Sequence, residues 1–180
     1  MNKTYSISEL TPFINWLYFY HAWGLSGKPR EDKEKMKQEA LQMLASWEEK
    51  YHTHAIFRLF EVCSEGDDLI FFLSDKKLRF PMLRQQHPSA PGEPNLCLAD
   101  FIRPLSQGIR DQVGVFCTSV DGTIIDEYSH DDYLNMMAQT LSDRLAEATA
   151  EKLHEEVRKD RAYWGYAPDE NLTIEQQHRE

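Results

Sequence analysis

Four carboxylates, Asp143, Glu147, Glu151 and Glu155, recur at successive four-residue steps. On a helix that spacing stacks them along nearly one stripe, where like charges each cost about 0.2–0.5 kcal/mol. Arg144, Lys152 and Arg158 are placed to offset part of that cost. The row therefore reads either as a solvated face laced with intrahelical ion pairs or as an acidic row held ready for a cationic partner. Two E-x-x-H pairs, Glu151 with His154 and Glu175 with His178, set metal-ligand types on one helical face, as in di-iron carboxylate bundles. Such a site also needs two glutamates from two further core helices, and the middle of this chain reads as strands. The group His130, Asp131, Asp132 has ligand chemistry too, but a helix N-terminus accounts for it more simply. No metal site is expected.

Two aromatic groups have faces on which a planar cofactor could stack: Trp16, Tyr18, Phe19, Tyr20 and Trp23, and later Tyr163, Trp164 and Tyr166. Core packing is the simpler use of the first. The second follows a polar helix end, and either use suits it. There is no G-x-S-x-G, Walker loop, G-x-G-x-x-G or H-E-x-x-H, so a self-contained hydrolase, NTPase or dehydrogenase has no motif to stand on. Cys63, Cys97 and Cys117 form no C-x-x-C pair, and an odd number cannot all pair within the chain, which fits a reducing compartment.

These side chains belong to a chain of 180 residues with 20 Lys plus Arg against 30 Asp plus Glu, a formal charge of −10 with its 7 His neutral. That excess of acid disfavours nucleic acid and anionic membranes, whose affinity comes from Lys and Arg. Apolar residues at 41% and charged residues at 28% are ordinary for a globular chain of one domain, 1–180. The start, MNKTYSISEL, has no secretory pattern and reads as a native initiation. No apolar run nears a membrane span, and the expected location is cytoplasmic.

The elements that would position the chemistry follow from spacing. Residues 11–24, TPFINWLYFYHAWG, read as a buried helix with Thr11 as N-cap and Pro12 at its first position. An amphipathic helix is expected over 31–52, with Met36, Ala40, Met43, Leu44 and Trp47 at three- and four-residue steps. Within 54–121 the runs AIFRLFEV, DLIFFL, LRFPML, LCLADFI and VGVFCTSV alternate with turn signals. They predict five antiparallel strands, with Pro81 at an edge and His87 to Pro94 as a loop. Leu134, Met137, Leu141, Leu145 and Ala148 predict a long helix over 131–160, and 161–180 is a tail mixing aromatics with turn signals. The fold class is α+β: a twisted antiparallel sheet of about five strands flanked by helices, with a long C-terminal helix.

The stretch from His130 to Glu156, HDDYLNMMAQTLSDRLAEATAEKLHEE, continuing to YWGYAPDENL at 163–172, resembles the reactivation domain of cobalamin-dependent methionine synthase. INWLYFYHAWGLSGK at 14–28 resembles that domain's opening helix and CLADFI at 97–102 one of its strand motifs. The resemblance implies a domain that closes over a cobalamin module and presents S-adenosylmethionine, which methylates the oxidised cobalt while a flavodoxin-like reductase supplies an electron. The methyltransferase system is then shared between modules, with no self-contained catalytic centre in this chain. It also implies that Asp143 and Glu147 meet the cobalamin module, including the histidine that leaves cobalt, whose protonated form facing carboxylates favour. Glu151 and Glu155 remain surface charges in that scheme.

By the same resemblance Asn15, Trp16, Trp164 and Glu180 border the S-adenosylmethionine site. Asn15 stands where the family usually has an aspartate, so an acceptor oxygen is kept and a charge is lost. Glu180 resembles a position just before the R-x-x-x-G-Y segment that binds the cofactor. That segment lies beyond the sequence, which reads as a fragment or as a short form. Two extra residues between Arg158 and the YWGY stretch are expected to bulge the helix end and shift Trp164. An alternative class is a non-catalytic docking module for a corrinoid protein, using the Asp143 and Glu147 face without S-adenosylmethionine.

Overall fold

Long-range order in this chain begins with side chains that close helix ends and apolar residues that recur on one face. The computed structural model describes residues 1–160. Their elements in order are strand β1 (Asn2–Tyr5), helices α1 (Ile7–Leu10), α2 (Trp16–Ala22) and α3 (Arg30–Trp47), strands β2 (Thr53–Glu65), β3 (Asp68–Phe72), β4 (Lys77–Pro81) and β5 (Asp111–Val120), and helices α4 (Thr123–Glu127) and α5 (Asp132–Asp160). The fold is α+β, with a five-stranded antiparallel sheet and a long C-terminal helix. Strand order is β1-β2-β3-β4, and β5 also pairs β2. Register is set by Val62↔Phe71 and Glu65↔Asp68 between β2 and β3, and by Ile70↔Arg79 and Asp68↔Pro81 between β3 and β4. Pro81 thus ends the strand at one limit of the β1-to-β4 path, where its missing N–H is tolerated.

Contacts group the chain into two units, one of Met1–Asn2 with Ile56–Cys117, the other of Lys3–Ala55 with the chain from Thr118 on. In the first, Val62, Leu69, Cys97 and Ala99 form the core, with Phe71, Met82, Ile102 and Val113 packed against it. Arg84 ties the loop to the strands there by bonding Asp67 and Asp100 at 2.7 Å each.

In the second unit α5 buries Met137, Leu141, Leu145, Ala148 and Leu153 at three-, four- and five-residue steps. Asp131 closes its start by accepting the Leu134 N–H at 2.9 Å, which is the use of this carboxylate as a helix cap. Thr149, fully buried in α5, donates to the Leu145 carbonyl at 2.7 Å, and its hydroxyl lies 2.8 Å from that of Thr53 on β2. Ala40, Leu44 and Trp47 form the buried stripe of α3, with Glu31 and Asp32 at its positive end. The Trp47 indole donates to the Tyr128 hydroxyl at 2.9 Å.

Three expectations are corrected. Residues 11–24 are not one buried helix. Ser6 and Glu9 form a reciprocal capping box that starts α1 earlier, and Thr11 bonds back to the Ile7 carbonyl at 2.9 Å instead of capping forward. A 3-10 turn over Thr11–Phe13 and the extended Ile14 follow, and Asn15 then caps a new helix in which Phe19 is the buried residue. The helix expected over 31–52 stops at Trp47, where Lys50 and Tyr51 donate their N–H groups to the Trp47 carbonyl.

LCLADFI is no strand. Leu98–Phe101 is a 3-10 turn because the Asp100 carboxylate accepts the Cys97 N–H at 2.9 Å and draws the chain round. The fifth strand is instead β1, whose polar NKTY carries no alternating apolar pattern. Met1 and Phe57 bind it to β2, with the Phe57 N–H donated to the Met1 carbonyl at 2.9 Å. α4 lies between the strand region and the long helix, where the spacing predicts no element.

Candidate functional site

Of the residues that sequence reasoning associates with a cofactor, Asn15 and Trp16 stand at the start of α2, and those it associates with a partner, Asp143 and Glu147, lie on α5. Asn15 is half-buried, and its side-chain oxygen accepts the Leu17 N–H at 3.1 Å and the Tyr18 N–H at 3.5 Å. The oxygen that the sequence offers to a positively charged ligand is therefore committed to the start of α2, whose first N–H groups would otherwise lack acceptors. The Asn15 amide nitrogen has no partner among the described residues.

Capping at Asn15 fixes the direction in which the next residues leave the helix. Trp16 is half-buried and packs edge-on to Phe19, with ring centroids 5.4 Å apart, while Lys37 Nζ lies 4.9 Å from the Trp16 ring centroid. Tyr18 is 49% exposed, and its ring lies 5.8 Å from the Arg144 guanidinium carbon. Arg144 in turn donates to Glu147 at 2.7 Å. A chain of contacts thus runs from the Asn15 cap through Tyr18 and Arg144 to the acidic stripe of α5.

Along that stripe the carboxylates differ. Asp143 is exposed and makes no ion pair with the described residues, and Glu147, also exposed, holds Arg144. Glu155 is paired with Lys159 at 2.6 Å and Lys152 at 3.7 Å, and the Lys159 hydrogen bond leads the causes that hold its carboxyl below the usual range. The adjacent Glu156 takes Lys3 at 3.0 Å and the Tyr5 hydroxyl at 3.2 Å. Burial, then the Glu156 charge, push the Tyr5 hydroxyl upward. The lacing of intrahelical ion pairs expected of a solvated face is present at Glu147 and, more densely, at Glu155. Asp143 and Glu147 lead the more open first half of the stripe.

The other sequence candidates stand in different settings. Asp131 is a helix cap, as above, and Glu151 and His154 are half-buried within α5. No group of three or more metal-binding side chains occurs among the described residues. The second E-x-x-H pair, Glu175 with His178, lies outside the described residues, as do Tyr163, Tyr166 and the expected cofactor neighbours Trp164 and Glu180. Among the described residues no helix is long and apolar enough to cross a membrane.

Sequence reasoning missed Arg144 as a structural link. Its signal was the i,i+3 spacing to Glu147, which was read only as charge compensation. Lys37 was missed as well, because its relation to Trp16 is tertiary.

With this geometry in place, comparison with known proteins is informative. The family described as "Vitamin B12 dependent methionine synthase, activation domain" matches residues 6–180. A solved structure described as the MetH reactivation domain bound to AdoHcy is similar with a TM-score of 0.78 at 32% identity. The match covers 99% of this chain and 60% of that one, so the chain spans about three-fifths of the length of that relative.

Proposed function

Since the chain belongs to the family of vitamin B12-dependent methionine synthase activation domains, we propose that it acts in reactivation, docking on a cobalamin-bearing module and presenting S-adenosylmethionine to it. S-adenosylmethionine supplies the methyl group and a flavodoxin-like reductase the electron, in a cytoplasmic setting. The residues of this chain bind and orient. Asn15 and Trp16 border the cofactor at the start of α2, Trp164 and Glu180 are assigned to it by resemblance alone, and Asp143 and Glu147 meet the cobalamin module from α5.

The observation that carries this reading is the link from the Asn15 cap through Tyr18 and Arg144 to Glu147. It supports the reading because α2 and α5 are packed together, so one docking event can engage residues of both. The aromatic rings of Trp16 and Tyr18 suit a nucleoside in kind, with Lys37 and Arg144 already lying over them, and Asn15 adds an amide. Binding of AdoHcy by the similar MetH domain supports the same ligand class here. Exposed carboxylates at Asp143 and Glu147 suit a partner imidazole that gains a proton once it leaves a metal.

A second reading is favoured by one specific feature. The Asn15 oxygen is already accepting two helix N–H groups, so a docking module that leaves S-adenosylmethionine unbound is consistent with the same α5 face. Calorimetric titration separates the two. The chain is titrated with S-adenosylmethionine, then with a cobalamin-binding module, and the module titration is repeated on Asp143→Asn/Glu147→Gln. Saturable binding of both, with affinity for the module falling about 2- to 10-fold in the double variant, is the expected result for two exposed charges. Module binding without cofactor binding selects the docking reading, and unchanged module affinity in the variant refutes the role of the α5 carboxylates.

A further inference from the structure

A cleft of about 770 Å³ opens between α1, the turn over Thr11–Phe13 and α3, and the residues lining it do not include Asn15. Its volume lies in the range of small-molecule sites. Ile7, Pro12, Leu41, Leu44 and Ala45 give it apolar walls, and Trp16 forms one side. Two charged side chains line it, Lys37 and Glu48, and their situations are opposite. Both Glu48 oxygens are engaged, one by the Ser8 N–H and the other by the Ser8 hydroxyl, each at 2.6 Å. Lys37 is half-buried, lies over the Trp16 ring at 4.9 Å and has no carboxylate partner among the described residues. Lys37 lies on α3 and Glu48 just past its end, eleven residues on and roughly 16 Å along the helix axis, beyond the reach of effective pairing in salt.

An ammonium held on an aromatic face keeps three N–H donors, and the ring satisfies the charge without accepting conventional hydrogen bonds. In an apolar cleft the group that completes such a cation is an anionic acceptor, through charge-assisted bonds. We propose that this cleft binds a small amphipathic organic anion, an apolar or aromatic body bearing one carboxylate. Lys37 holds the carboxylate, and the body lies between Trp16 and the wall formed by Leu41 and Leu44. Glu48 at the far end repels a second anionic group, so a monocarboxylate is preferred over a dicarboxylate. This site shares Trp16 with the proposed cofactor border, but its anchor is Lys37 and its ligand is opposite in charge to a sulfonium.

The probe is naphthalene-2-carboxylate, titrated into the isotopically labelled full chain and followed by backbone and indole amide shifts. The expected result is saturable one-to-one binding with shifts centred on Ser8, Thr11, the Trp16 indole and Ala45. Lys37→Gln weakens it about tenfold, the loss of one charge-assisted contact, whereas Lys35→Gln, an exposed lysine of the same helix, leaves it unchanged. Should Lys37→Gln fold poorly, naphthalene-2-carboxamide on the unaltered chain tests the same point and binds about tenfold more weakly than the acid. No saturable binding at millimolar probe, equal losses in both lysine variants, or shifts centred on the exposed Leu83, Leu98 and Phe101 overturns the proposal. Displacement of the probe by S-adenosylhomocysteine overturns it as a separate site and shows at the same time that the chain binds that nucleoside.

Discussion

Asn15 carries two demands that substitution can separate. As a cap, its oxygen satisfies the Leu17 N–H at 3.1 Å and, more weakly, the Tyr18 N–H at 3.5 Å. Replacing it with alanine leaves these donors without that acceptor, a loss of about 1 kcal/mol, or roughly 2–4 °C in melting temperature for a chain of this size. Asn15→Asp keeps the acceptor, ranks equally as a cap, and adds a negative charge at the positive end of α2, contributing about 0.3–1 kcal/mol. Its stability should equal or exceed that of the parent. The ligand response is distinct. At about 4 Å an added carboxylate attracts a sulfonium by about 1 kcal/mol even in watery surroundings, so the variant should bind S-adenosylmethionine about fivefold more tightly relative to S-adenosylhomocysteine, which lacks that charge. Thermal melting followed by circular dichroism reads the first effect and paired calorimetric titrations the second. If Asn15→Ala melts with the parent, the cap argument is wrong; if Asn15→Asp leaves the ratio of the two ligands unchanged, Asn15 does not face the sulfonium.

Further consequences concern the frame around the site. The Arg84 hydrogen bond, then the Cys97 N–H, lower the Asp100 carboxyl from its ordinary 3.8 to about 2. A depressed carboxyl stabilises the fold above its unfolded value and loses that contribution as pH falls from about 4 through about 2. Melting temperature should therefore drop less steeply across this interval in Asp100→Asn than in the parent, and parallel curves would contradict the assignment. Thr149→Val leaves the buried Thr53 hydroxyl without its partner and should cost about 1–3 kcal/mol in urea unfolding. Adding Thr53→Val should recover part of that loss, whereas strictly additive losses would mean that the two hydroxyls are not coupled. A Cβ on Gly114 would come within 2.6 Å of the Phe57 ring, so Gly114→Ala should lower the melting temperature by pushing that ring from its place, and an unchanged value would show that the ring yields freely.

How much of this was legible depends on where each instruction resides in the chain. Met137, Leu141 and Leu145 repeat at helical spacing and made α5 readable, as did Asp131 at its start. The break between α1 and α2 was hidden because Thr11 and Pro12 look like a helix start, while the decisive groups are the polar side chains Ser6, Glu9 and Asn15. CLADFI has the composition of a strand, and only Asp100, by accepting the Cys97 N–H, turns it into a 3-10 turn. β1 was invisible for the converse reason: NKTY gains its strand character from pairing with β2, a tertiary effect that overrides weak local preference. At the candidate site, four-residue spacing drew out all four carboxylates of α5 alike, and only resemblance singled out Asp143, Glu147 and Asn15. The Tyr18–Arg144 contact and the Lys37–Trp16 contact join separate helices, so no local pattern encodes them.

The central claim is that this chain serves reactivation, and recovery of methionine synthase turnover tests it most directly. Methionine synthase inactivated by oxidation of its cobalamin, with its own activation domain removed, is mixed with this chain, a flavodoxin-like reductant and S-adenosylmethionine. Turnover should return in proportion to added chain and only with S-adenosylmethionine present, and Asp143→Asn/Glu147→Gln should require a higher chain concentration for the same recovery. Turnover that stays absent at saturating chain, although the chain binds the cobalamin module, would contradict the reactivation role.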